Sequence, residues 1–113
     1  MRRDRERLAD ILEAIRILEP ILALGRTAFD DDSMVAAVAE RHLEIIGEAV
    51  AQLPQTVTNL QPQIPWEDIK GMRIKLAHVY WEIIGDTVWL TLENDLQPLK
   101  LAIQALLARP DIE

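Results

Sequence analysis

The stretch Lys70-Gly71-Met72-Arg73-Ile74-Lys75-Leu76-Ala77-His78-Val79-Tyr80 gathers three cations, one of the two histidines and the only tyrosine, and it holds no carboxylate. Along the sequence, it is the one place where a phosphate would be welcome. Histidine titrates near neutral pH and serves as a general acid or base. Arginine holds a phosphate by paired hydrogen bonds and offsets the charge that grows in the transition state. Arg73 and His78 are therefore the candidate catalytic groups for cleaving RNA without a metal, with Lys70 and Lys75 supplying attraction to the backbone. Such a reaction takes a proton from a 2′-hydroxyl and gives one to the leaving 5′-oxygen, which yields a 2′,3′-cyclic phosphate and a 5′-hydroxyl. No metal or cofactor is expected: His42 and His78 are far apart in the chain, cysteine is absent, and the carboxylates lack an HxxxH or ExxH spacing.

Positioning these groups is a problem of helical geometry. On a straight helix Arg73 and Tyr80 point in nearly the same direction about 10 Å apart along the axis, whereas His78 is rotated from Arg73 by about 140°. Two arrangements resolve the mismatch. The helix ends or bends near Ala77, or the same segment of a second subunit completes the site across a twofold axis. A homodimer has a chemical attraction, because the reaction needs both a base and an acid and one chain offers a single suitable histidine.

The surrounding chain reads as helices. Leu8, Ile11, Leu12, Ile15, Leu18 and Leu22 form one helical face, with Pro20 kinking it or marking a weakened last turn and Gly25 as terminator. The run Asp30-Asp31-Asp32-Ser33 offers N-cap side chains to a second helix, whose stripe is Val35, Val38, Ala39, His42, Ile46, Ala49, Val50 and Leu53. Pro54 ends it. PQTVTNLQPQIP has three prolines and no helical period, so a loop is expected there. Pro65 suits the first turn of a third helix with Ile69, Met72, Leu76 and Ala77 inward. A glycine break in WEIIGD then leaves Asp86 to cap a last helix running through Val88, Leu92, Leu96, Leu99, Ile103 and Leu106, which Pro98 bends or splits. The fold expected over residues 1–113 is one all-α domain, a bundle of four to five helices running up and down.

Composition agrees. At 113 residues the chain has room for one core, and half of it is hydrophobic while only 4% is aromatic, which favours helix on helix over a β-sandwich. A net charge of −7 argues against a protein that coats nucleic acid non-specifically, so RNA chemistry must use a local basic patch. The start MRRDRERLAD lacks the apolar segment of a signal peptide, and no apolar run approaches the roughly 20 residues of a membrane span, so a cytoplasmic protein is expected. Arg2, Arg3, Arg5 and Arg7 read as a solvated helix face, and Trp66, Trp81 and Trp89 as packing or interface anchors. His42 reads as a hydrogen-bonded core or interface histidine, and Arg41 and Glu48 as supporting contacts.

Arg73, four residues, His78, one residue and Tyr80 resemble the RxxxxHxY signature of HepT-type HEPN ribonuclease toxins. RHLEIIGEAV at 41–50, IPWEDIKGMR at 64–73, Val88-Trp89 and Glu93-Asn94-Asp95-Leu96 also look like family segments in the expected order. The resemblance covers nearly the whole chain. It implies a homodimeric helical RNase whose Arg73 and His78 meet at the subunit cleft, with transfer RNA as substrate. It also implies a type VII toxin–antitoxin pair, in which a minimal nucleotidyltransferase of the MntA type uses ATP and magnesium to add AMP to Tyr80. Two positions depart from the family pattern: Ile74 stands where a polar residue, often Asn, follows the motif arginine, and Ile84 where Asp is common. The rival reading these departures favour is a catalytically silent helical module that dimerises and binds the nucleotidyltransferase.

Overall fold

Six helices carry the regular structure in the computed structural model, which describes residues 3–113: α1 (Asp4–Leu24), α2 (Arg26–Asp31), α3 (Ser33–Gln52), α4 (Gln55–Thr58), α5 (Trp66–His78) and α6 (Trp81–Leu107). The four long ones form the expected bundle. Central α3 packs against α1 and α5, and α6 closes on α1, whereas α5 and α6 touch only sparingly. One continuous apolar core, in which Leu8, Ile11, Ile15, Ile46, Val88, Leu92, Ile103 and Leu106 are essentially closed to solvent, joins the layers. None of the described helices is long and apolar enough to cross a membrane.

The long helices arise as their periodicity dictates. In α1 the buried face is Leu8, Ile11, Leu12, Ile15, Leu18 and Ile21. Pro20 lies on the exposed side within the helix, which ends at Gly25, where φ is 92°. That left-handed backbone is cheap only for glycine. Of the acidic run it is Asp32 that caps α3, its carboxylate accepting from the Met34 and Val35 amides at 2.9 and 3.4 Å. The buried face of α3 is rotated from the expected stripe: Ala36, Leu43 and Gly47 are inside, while Val38 is exposed.

Three expectations change. Only part of the acidic run serves as a cap, because Arg26–Asp31 coil into α2 and take Asp30 and Asp31 with them, with the Phe29 ring tilted against Trp81 and Trp89 at 5.5 and 5.2 Å between centroids. The proline-rich connection is not wholly irregular, since Gln55–Thr58 make the single turn α4 with Val57 buried. Short helices of this kind lack the length to show a period and are fixed by one buried anchor. Finally, α6 runs unbroken through Gly85 and Pro98, so Asp86 is a mid-helix residue that reaches across to Arg26 instead of capping. The buried row Ile84, Val88, Leu92, Leu96, Leu99, Ile103 keeps the whole length on the core, and packing of this kind outweighs the local weakness of glycine and proline.

Of the N-terminal arginines, Arg5 is not simply solvated. The Arg5 guanidinium donates to the carbonyls of Leu107 at 2.7 Å, Arg109 at 2.6 Å and Ile112 at 3.3 Å, satisfying backbone groups at and beyond the end of α6. Arg2 lies outside the described residues. Lys100 on α6 pairs with Glu19 on α1 at 2.8 Å.

Candidate active site

The α5–α6 corner gathers the motif. Ile69, Met72 and Leu76 bury one face of α5 against the core, which leaves Arg73 half-buried and Lys75, Ala77 and His78 exposed. Ala77 therefore does not face inward. The helix stops at His78, Val79 is extended, and Tyr80 is the N-cap of α6 with φ −60° and ψ 143°. Helical projection accordingly ends before Tyr80, whose ring is 79% exposed. Arg73 and His78 both lie within α5, so the end of the helix frees Tyr80 but leaves the two candidate catalytic groups about 140° apart around the axis. Of the two arrangements considered, a second copy of the segment remains as the one that would bring them to one point.

The histidine is set by its own helix. His78 Nδ1 lies 3.0 Å from the Ile74 carbonyl oxygen, which can only accept, so Nδ1 carries the hydrogen and donates. Nε2 is left as the outward nitrogen: an acceptor when the ring is neutral, a donor when it is charged. His42 makes the same contact one turn back, from Nδ1 to the Val38 carbonyl at 2.8 Å, as a half-buried histidine on α3.

Arg73 is held differently. Gly47 on α3 presses on its stem: a Cβ at Gly47 would fall 3.1 Å from the Arg73 Cβ, 3.2 Å from the Ile69 carbonyl oxygen and 3.4 Å from the Arg73 amide nitrogen. Two helix backbones approach this closely only where one side lacks a side chain. Beyond the stem, Arg73 Nε is enclosed without a hydrogen-bond partner among the described residues, and Nη1 donates to Glu48 Oε2 at 3.2 Å.

The carboxylate-free character of the stretch is thus a property of the linear sequence alone. Folding brings Glu48 from α3 onto Arg73, and Glu67 pairs with Lys70 at 3.0 Å one turn earlier on α5. Lys75 has no ion pair among the described residues and lines a cavity of about 280 Å³ between α3, α5 and α6. Within this cavity Asp95 is held above the usual carboxylate range, first by burial and second by the negative charge of Asp68. Neither Arg73, His78 nor Tyr80 lines this cavity, so the candidate site is an exposed edge and not a pocket. A shallow groove between α1 and α3, lined by Arg7, Asp10, Arg41 and Glu48, leads away from the Arg73–Glu48 pair.

The two departures have different structural standing. Ile84 is 4% exposed and belongs to the core face of α6, where an aspartate would be buried among apolar neighbours. Ile74 is 57% exposed on α5, and Val79, Tyr80 and Ile83 around the junction are exposed as well, so the corner is partly apolar at its surface. Gly47 and Glu48 are the residues that reading the motif alone undervalued. Their signal was present in RHLEIIGEAV, as a glycine in mid-helix followed directly by a carboxylate.

A family profile described as ribonuclease HepT-like matches residues 11–106, which includes both helices of the candidate site. A protein of Thermococcus cleftensis named "Probable ribonuclease HepT" is 35% identical over 102 residues, covering 88% of this chain and 91% of its own. A Caldanaerobacter subterraneus subsp. tengcongensis protein described as a "Putative RNase" is 31% identical over 110 residues, covering 96% and 98% of the two chains. Another so described, from Methanocaldococcus jannaschii, is 35% identical over 102 residues, covering 86% and 84%. No solved structure matches the chain.

Proposed function

The chain belongs to the HepT-like ribonuclease family, and on that footing we propose that it is a metal-independent endoribonuclease toxin that acts as a homodimer and is silenced by AMP addition to Tyr80. The carrying observation is the α5–α6 corner, where His78, with Nδ1 tied to its own helix, and Tyr80 are exposed, and Arg73 on the same helix is anchored by Gly47 and Glu48. Arg73 holds the scissile phosphate, Lys70 and Lys75 attract the neighbouring backbone, and His78 moves a proton to or from the reacting oxygens. A twofold-related copy docked on the apolar surface of Ile74, Val79 and Ile83 would bring a second set of these groups to the same phosphodiester. Transfer RNA is the substrate proposed, with a 2′,3′-cyclic phosphate and a 5′-hydroxyl as product ends.

Tyr80 suits a modifying partner because its hydroxyl stands on an exposed chain junction two residues from His78. A polyanion attached there would occupy the surroundings an RNA phosphate needs, so a nucleotidyltransferase using ATP and magnesium would act as the antitoxin. RNA cleavage by the purified chain in excess chelator, abolished by Arg73→Ala and by His78→Ala while the fold is kept, is the outcome expected. Cleavage untouched by both substitutions would refute it. Intact mass after incubation with the nucleotidyltransferase should rise by whole AMP groups, and Tyr80→Phe should stop the rise.

The exposed Ile74 favours a second reading, a silent module that binds its nucleotidyltransferase without cutting RNA. It predicts tight partner binding with no turnover by the parent protein, and Ile74→Asn, which returns the missing polar group, should then gain RNA cleavage.

A further inference from the structure

Metal-free cleavage needs a base as well as an acid, and the proposed activity leaves open which group takes the 2′-hydroxyl proton. The tertiary structure offers one within the same chain. Glu48 is the sole ion-pair partner of Arg73 among the described residues, at 3.2 Å, and its side chain is 59% exposed while that of Arg73 is 28% exposed. A pair this accessible adds little to stability. Next to a phosphate site, moreover, a carboxylate repels the substrate, a cost that a part in the chemistry would offset.

Its placement is tightly constrained. Gly47, the preceding residue, lies against the Arg73 stem and the Ile69 carbonyl, so the distance between the Glu48 and Arg73 backbones is set by packing and not by the flexible tips. A phosphate taken by the Arg73 guanidinium would compete for the Nη1 hydrogen and release the Glu48 carboxylate beside the bound phosphate.

We propose that Glu48 is the general base of the cleavage reaction, taking the 2′-hydroxyl proton of the nucleotide whose phosphate Arg73 holds. The inference rests on the ribonuclease reading above. As a Glu48 oxygen takes the proton, O2′ forms its bond to phosphorus and the bond from phosphorus to O5′ breaks. The His78 imidazolium gives its Nε2 proton to O5′. The products are the 2′,3′-cyclic phosphate and the 5′-hydroxyl, with Glu48 protonated and His78 neutral until they exchange protons with water. No outside reactant is needed. Arg73 stays bound to the phosphate throughout and offsets the charge on its oxygens.

Glu48→Gln separates this role from simple positioning. The amide oxygen still accepts from Arg73 at the same reach, but an amide takes no proton. On natural RNA at saturation, single-turnover cleavage should fall by about 100-fold or more, with KM unchanged or lower because a negative charge has gone. Glu48→Asp, which keeps a base on a shorter arm, should recover part of the rate. A substrate with sulfur in place of the 5′-bridging oxygen then divides acid from base, since a thiolate leaves without a proton. His78→Ala should regain most of its rate on that substrate, and Glu48→Gln should not. Glu48→Gln cutting natural RNA within about threefold of the parent rate, or recovering on the sulfur substrate as His78→Ala does, overturns the base assignment while leaving the ribonuclease intact. A parent protein that cuts neither substrate removes the ribonuclease reading and this inference together.

Discussion

Replacing Gly47 by alanine tests whether Arg73 is placed by the close approach of α3 and α5. In an open helix interior the change stabilises by about 1 kcal/mol, because glycine loses the most backbone entropy on folding. At Gly47 the new methyl would meet the Arg73 Cβ at 3.1 Å, the Ile69 carbonyl oxygen at 3.2 Å and the Arg73 amide nitrogen at 3.4 Å. None of these atoms is the end of a flexible side chain, so α5 itself must retreat by a few tenths of an ångström. Overpacking of this kind costs about 1–3 kcal/mol, more than the propensity gain, and the expected net loss is about 1 kcal/mol, or roughly 4 °C in a domain of this size. Gly71, within α5, has nothing within 4 Å of the same added methyl, so Gly71→Ala should stabilise by about 0.5–1 kcal/mol. Thermal and urea unfolding of the two variants should therefore move in opposite directions. RNA cleavage by Gly47→Ala should fall by about tenfold under conditions where the variant is fully folded, since small displacements of a positioning group are costly to rate. A Gly47→Ala protein as stable as Gly71→Ala and as active as the parent would show that the contact does not set the site.

Asp32→Ala removes the carboxylate that accepts from the Met34 and Val35 amides, and should cost about 1 kcal/mol by denaturant unfolding without altering RNA cleavage. Arg5→Ala opens the carbonyls of Leu107, Arg109 and Ile112, and should lower stability by about 1–2 kcal/mol, with faster amide exchange at the end of α6 as the local readout. Asp95 is raised in the fold by burial and then by Asp68, so the folded state holds its proton more tightly than the unfolded chain. That contribution is present below the ordinary aspartate range and is lost as pH rises through the higher folded value. Asp95→Asn should accordingly raise the melting temperature at pH 7, with the advantage shrinking towards pH 3; an equal advantage at both would contradict the assignment.

Periodicity carried the long elements. The apolar rows of α1, α5 and the second half of α6 were legible because a helix packed on one core must repeat its buried residues every three to four positions. The motif residues were legible too, since Arg73, His78 and Tyr80 stand close together in the chain and their chemistry is unusual for an acidic protein. Other features depended on neighbours distant in sequence. Phe29 makes a helix of Arg26–Asp31 only because Trp81 and Trp89 receive its ring. Likewise, α6 passes Gly85 and Pro98 unbroken because the core holds it on either side. The end of α5 at His78, which turns Tyr80 outward, and the arrival of Glu48 on Arg73 are also tertiary results. Local sequence fixes which groups are available for chemistry, but the distance between two side chains on different helices is set by packing. Here that packing turns on one glycine with no side chain to hold the helices apart.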